Sequence, residues 1–206
     1  MYKICFVCLG NICRSPMAEF IMKDKVNQLG LSSEFFIESR ATSYEEDGND
    51  MYPPAKEMLN RMNIPFTKHR ATRLEEDDYD KFDYFLCMED ANVRRTLTIF
   101  DDPLGKVKKL LDRDISDPWY TGNFSKTYDD LCEGIDLLFE NNFINNEKYY
   151  NYIKSNRTIE KRISIGTRLR SSTAKPDQRS STEQIMPLVK TACAPDRSSL
   201  MKSMPI

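Results

Sequence analysis

The stretch that most constrains this chain is KICFVCLGNICRSPMAEF, residues 3–20. KICFVCL is a short apolar run bounded by Gly10, and its composition suits a buried strand. Pro16 sits in the first turn of a helix whose apolar stripe runs through Met17, Phe20, Ile21 and Val26. The same alternation continues downstream. FFIESR reads as a second strand, and GNDMYPPAKEMLNRMNI as a loop entering a helix that runs through Met62. DYFLCMED reads as a third strand, ANVRRTL as a short helix and KVKKLLD as a fourth strand. KTYDDLCEGIDLLFENNF closes the series, with Tyr128, Leu131, Ile135, Leu138 and Phe139 on one helical face. Strands alternate with helices, and the connections are long enough for crossovers. The expected fold is α/β: a four-stranded parallel sheet flanked by helices on both faces. Ligands of such sheets bind outside the carboxyl ends of the strands, and the turn from Gly10 to Ser15 lies at such an end.

Charge divides the 206 residues into two parts. Residues 1–146 carry 18 Lys and Arg against 27 Asp and Glu, a net of -9; residues 147–206 carry 12 against 5, a net of +7. The reading is therefore an acidic catalytic domain over 1–146 and a basic, partly disordered extension over 147–206. TRLRSSTAKPDQRSSTEQ has the polarity of an unstructured tail, while NEKYYNYIKSNRTIEKR has enough tyrosine and isoleucine for a short helix. A basic tail can meet nucleic acid or anionic lipid, and the plainer alternative is a weakly docked extension whose partner the sequence does not name. For the acidic domain no nucleic-acid partner is expected, because phosphate contacts need clustered Lys and Arg. No apolar run approaches the roughly 18 residues of a membrane span. Lys3 is followed only by the short run ending at Gly10, which does not read as a signal peptide. Six scattered cysteines in that context are expected to be reduced, in a cytoplasmic protein.

Three chemistries compete for Cys8 and Cys13. Zinc would want a second pair of thiolates or histidines, but the other cysteines stand apart and His69 is the one histidine. Redox dithiols usually have two residues between the cysteines, and here there are four. The third chemistry is an anion cradle. A loop between a strand end and a helix start turns its backbone N–H groups inward, backed by the helix dipole. Residues 9–14 would form this phosphate-binding loop after the first strand, with Leu9, Gly10, Asn11, Ile12 and Cys13 lining it. Arg14 can clamp two oxygens in a fork. The same field should lower the pKa of Cys8 and make it a thiolate nucleophile. Gly10 lets the loop turn without a Cβ, and Asn11 tolerates an unusual backbone angle and can brace the loop.

A nucleophile beside an oxyanion cradle also needs a proton donor for the departing oxygen. ISDPWYTGNF supplies Asp117 after the fourth strand, on the same rim as Cys8. Pro118 restricts the backbone of Asp117, and Trp119 and Tyr120 could wall a flat ring. On pattern alone an Asp-Pro pair equally reads as a surface turn.

The full string VCLGNICRSPMAE resembles the signature of the low molecular weight protein tyrosine phosphatases, and the resemblance extends over residues 1 to about 146. It implies hydrolysis of protein phosphotyrosine and small aryl phosphate monoesters through a phosphocysteine intermediate, with no metal and no cofactor. Through it, Cys8 resembles the nucleophile, Arg14 the phosphate clamp and Asp117 the catalytic acid. Ser15 resembles the hydroxyl that stabilises the Cys8 thiolate, though by itself it reads as an ordinary N-cap. Cys13 resembles a second loop cysteine that pairs reversibly with the nucleophile under oxidation, and otherwise reads as a small buried filler. Asp114, without a following proline, is the local rival of Asp117. RATSYEEDGNDMYPPA resembles the family's variable loop. Aligned on Gly48 and Pro53, the usual tryptophan falls at Glu45, which leaves Tyr44 as the substitute aromatic wall. Glu45, Glu46 and Asp47 would disfavour acidic flanks beside the phosphotyrosine, or form a solvated turn. His69 resembles a loop-holding histidine, Glu19 a network residue, and Glu89 stands where an aspartate is common, with Asp90 as a possible aid.

Three other activities are weighed against this one. An arsenate reductase would need two further cysteines in relay, and Cys87 has no near partner before Cys132. Protein-arginine phosphatases resemble this chain closely, but place threonine where it has Ile12. A non-catalytic phosphate-binding or redox-sensing module would need neither Cys8 nor Asp117. The expected partners are tyrosine-phosphorylated proteins or small phosphomonoesters.

Overall fold

A computed structural model describes residues 1–142; the expectations for residues 147–206 lie outside them. Four strands, β1 (Tyr2–Cys8), β2 (Phe35–Ala41), β3 (Tyr84–Cys87) and β4 (Val107–Lys109), form one sheet in the order β2-β1-β3-β4. Every pairing is parallel. β1 is central, and its residues from Ile4 to Cys8 are buried, as a strand covered on both faces must be. Cys8 stands beside Ala41, and Val7 beside Cys87, so the carboxyl ends of three strands converge at one edge.

Parallel register sorts the side chains. Ile4 and Phe6 share a face with Ile37 and Ser39. There α1 (Arg14–Gln28) packs on β1 and β2 and against α6 (Phe124–Asn142), and Phe35 meets Phe139 at 5.7 Å. Cys5 and Val7 face the other way into a second core with Leu74, Phe82, Phe85 and Phe100. α3 (Asp78–Lys81) and α4 (Asp90–Thr96) add Tyr79 and Val93 to it. α2 (Pro53–Arg61) lies beside α1 and α6.

The expected elements are present, with three differences. The fourth strand is three residues rather than KVKKLLD, because Leu110 and Leu111 leave the sheet edge and are buried. A Cβ on Gly134 of α6 would stand 2.5 Å from Leu110 Cγ, which shows how closely this turn meets the helix. α3 and a single 3₁₀ turn at Ser32–Glu34 have too few residues to show a period. The Asp-Pro segment, read as a loop, winds into one helical turn, α5 (Pro118–Thr121). Among the described residues no helix is long and apolar enough to cross a membrane.

Candidate active site

Residues 8–13 carry the chain from the end of β1 into α1. The left-handed backbone that this loop needs falls on Asn11, at φ +56°; asparagine tolerates that region better than most residues. Gly10 has a different reason to lack a side chain: a Cβ there would stand 3.0 Å from Glu46 Cγ. Asn11 is fully buried and acts as a hub. Its Nδ2 donates to Ser15 Oγ and to Ser39 Oγ, both at 2.8 Å. Its Oδ1 accepts from the Thr72 N–H at 3.1 Å, and His69 Nε2 lies 2.8 Å from its carbonyl oxygen.

The direction of these bonds bears on Cys8. Asn11 uses both amide protons on the two serines, so each hydroxyl keeps its own proton to donate. Ser39 donates to Glu19 Oε2 at 2.5 Å. Ser15 Oγ lies 3.0 Å from Cys8 Sγ, and the Asn11 N–H reaches the same sulfur at 3.2 Å. A buried chain therefore links Glu19, Ser39, Asn11, Ser15 and Cys8, and its near end offers two donors to the sulfur. Ser39 escaped the sequence reading, since within FFIESR it looks like an ordinary alternating strand residue. Asn11, expected both to line and to brace the loop, and Ser15, expected to stabilise the Cys8 thiolate, lie beneath the loop rather than on its open side.

Arg14 opens α1 and is 2% exposed. Its Nη2 is 2.6 Å from Asp117 Oδ2. Both terminal nitrogens lie 3.3 Å from Glu89 oxygens, and Nη1 donates to the Ile115 carbonyl at 3.3 Å. Burial opposes the charge, but Cys8, Asp117 and Glu89 outweigh it and hold the guanidinium pKa above its ordinary value. The longer Glu89 side chain still reaches the arginine, and Asn92 Nδ2 steadies it at 3.0 Å. Asp90 pairs instead with Lys109. Asp114 takes the same lysine and accepts from the Asp90 N–H, so it is occupied elsewhere.

Asp117 caps α5, with Oδ1 accepting from the Trp119 N–H at 3.0 Å, while Pro118 supplies the first helical residue. Thr127 Oγ1 ties the preceding carbonyl, of Ser116, to α6 at 2.9 Å. One carboxylate oxygen is thus spent on the backbone and the other faces Arg14. Cys13 is 5% exposed, and burial, reinforced by Cys8 and Asp117, pushes its thiol up to about 12.

A pocket opens over this loop. Its floor is formed by Cys8 to Gly10, Ile12, Cys13 and Arg14, and Asp117, Trp119, Tyr120, Glu45 and Glu46 complete the lining. Trp119 and Tyr120 are 54% and 80% exposed, and the Trp119 ring rests on Tyr52 at 5.1 Å. Tyr44 does not line the pocket. Its ring is 70% exposed and carries the Arg73 guanidinium 4.1 Å above it. The backbone turn from Tyr44 to Asp47 sends the next two side chains inward instead. Among the described residues no group of three His, Cys, Asp or Glu is placed to hold a metal ion.

Comparison with known proteins gives consistent matches. Residues 3–148 match the family model described as low molecular weight phosphotyrosine protein phosphatase. The low molecular weight protein-tyrosine-phosphatase YfkJ of Bacillus subtilis is 35% identical over 147 residues, 67% of this chain and 94% of that protein. PtpA of Staphylococcus aureus, of the same description, is 35% identical over 146 residues, covering 68% and 93%. The crystal structure of YfkJ superposes with a TM-score of 0.65 at 34% identity, over 68% of this chain and 93% of that one. The low molecular weight protein tyrosine phosphatase of Streptococcus pyogenes gives 0.65 at 33% identity, over 73% and 98%.

Proposed function

The chain belongs to the low molecular weight phosphotyrosine protein phosphatase family, and from that premise we propose how its site divides the work. The protein is a cysteine-dependent phosphatase that hydrolyses phosphotyrosine through a cysteine intermediate. The catalytic domain of this reading is residues 1–146, and its setting is the cytoplasm, where a free thiolate persists.

The observation that carries the assignment is the meeting of Cys8, Arg14 and Asp117 in one pocket, with Arg14 and Asp117 at 2.6 Å. The phosphate dianion sits over residues 9–14, held by N–H groups and Arg14. To bind the arginine it competes with Asp117, which, released from the ion pair beside the dianion, takes a proton from solvent and becomes the proton donor. The Cys8 thiolate attacks phosphorus in line, forming an S–P bond as the aryl oxygen leaves. Asp117 gives that oxygen its proton, since a phenolate is a poor leaving group near neutral pH. Water then attacks the phosphocysteine and Asp117 takes its proton. The S–P bond breaks, releasing inorganic phosphate and restoring the thiolate. Trp119 and Tyr120 wall the substrate ring. Small aryl phosphates fit the same scheme, because every group that acts on the reacting bonds lies within the pocket.

Hydrolysis of p-nitrophenyl phosphate tests it. Cys8→Ser abolishes turnover. Asp117→Ala lowers kcat by roughly 10²–10⁴-fold on phenyl phosphate and less on esters with better leaving groups. Turnover surviving in Cys8→Ser, or an Asp117→Ala loss independent of the leaving group, contradicts the assignment.

A further inference from the structure

The pocket contains two carboxylates that the reaction does not use. Glu45 and Glu46 line it together with Cys8 and Arg14. The Glu46 stem lies against the phosphate loop, its Cγ 3.0 Å from where a Gly10 Cβ would be, and its Oε2 accepts from Asn49 Nδ2 at 2.8 Å. Its charge is felt at Cys13, deep in the loop. Glu45 is exposed at the mouth. Among the described residues neither is within ion-pair distance of a lysine or arginine. Arg73 lies on the Tyr44 ring, and the exposed Arg70 sits beside Gly48; neither lines the pocket. Arg14 is already answered by Asp117 and Glu89.

A phosphate dianion entering this pocket therefore passes two carboxylates that repel it. Arg14 and the loop N–H groups hold the phosphate itself, and repulsion at the rim is relieved further when the substrate brings its own positive charge there. We propose that Glu45 and Glu46 are specificity determinants that select phosphotyrosine flanked by lysine or arginine. The cationic flank fills the negative rim while the phosphate takes the loop and Arg14. The proposal rests on the phosphatase reading of the same pocket. It turns on the placement of two side chains inside the pocket, where the acidic run by itself is equally compatible with a solvated turn.

The test uses the full chain and two phosphotyrosine peptides of equal length, one with lysine on both sides of the phosphotyrosine and one with aspartate. The lysine peptide should have the higher kcat/KM, by about tenfold or more at low ionic strength. The ratio should shrink in about 0.5 M salt, where the screening length falls to a few ångströms. Glu45→Gln with Glu46→Gln should bring the low-salt ratio to within about threefold of unity, whatever it does to the absolute rates. Glu45→Gln alone, at an exposed position, should take part of the ratio away. Equal rates for the two peptides, or a ratio untouched by salt and by both variants, overturns the proposal. p-Nitrophenyl phosphate separates the two levels. A native protein that fails to hydrolyse it contradicts the phosphatase reading, whereas one that hydrolyses it and ignores the peptide flanks contradicts only the role of Glu45 and Glu46.

Discussion

Asn11 shows how much a single residue can hold in this site. It takes the left-handed backbone angle and bonds both serines, the Thr72 N–H and His69. Asn11→Ala would keep the strained angle and leave several buried groups without partners. The expected cost is about 2–4 kcal/mol, read as a lowered urea midpoint. Equal stability of Asn11→Ala and the native chain would sink the hub. Cys8 and Arg14 were legible because their chemistry is stated by residue type and local spacing, whereas Asp117 stood out from a surface turn only through the family resemblance. Ser39 was not, because its partners come from residues 19 and 11 and meet it only across the folded sheet. Tyr44 was misjudged by one position in a turn, where neighbouring side chains diverge.

At the scale of elements, β1 and α1 are set by their own sequences, but α5 and the end of β4 depend on α6. Gly134 lies inside α6, where alanine would normally favour the helix by about 1 kcal/mol. Here the added methyl would stand 2.5 Å from Leu110 Cγ. Gly134→Ala should therefore destabilise the protein by about 1–3 kcal/mol, measured by thermal or urea unfolding. Combining it with Leu110→Ala should give a loss smaller than the sum of the two single changes. Additive losses would mean that the helix and the β4 turn are not in tight contact. The same junction positions Asp117, since Thr127 of α6 holds the Ser116 carbonyl one residue before it. A periodicity argument sees α6 and sees Asp117, but not that one anchors the other.

The described residues bury thiols in two places, Cys5 and Cys87 in the core on one face of the sheet and Cys13 in the loop after β1. Burial pushes Cys13 and Cys87 up to about 12, and raises Cys5 as well. In the unfolded chain such thiols ionise near about 8.5. Below that pH both states keep the proton, and the full stability is present. Above it the unfolded chain releases protons that the folded chain retains, so stability falls as pH rises towards 12, at about 1.4 kcal/mol per pH unit for each thiol. Tyr128, also pushed up to about 12 by burial, adds to the fall above pH 10. Urea midpoints measured from pH 8 to 11 should decline accordingly, and Cys87→Ala should make the decline shallower. A flat profile would contradict the burial of these groups. By itself the sequence determined the parallel α/β order and the loop after β1 that carries Cys8 and Arg14, because alternation of apolar runs and local motif spacing are properties of neighbouring residues. Tertiary structure alone decided that Glu89 and Asp117 converge on Arg14, that Ser39 completes the chain beneath the loop, and that Glu45 and Glu46 rather than Tyr44 face the pocket. Those pairings join strands, loops and helices far apart in the chain, and only closure of the sheet brings their side chains within bonding distance.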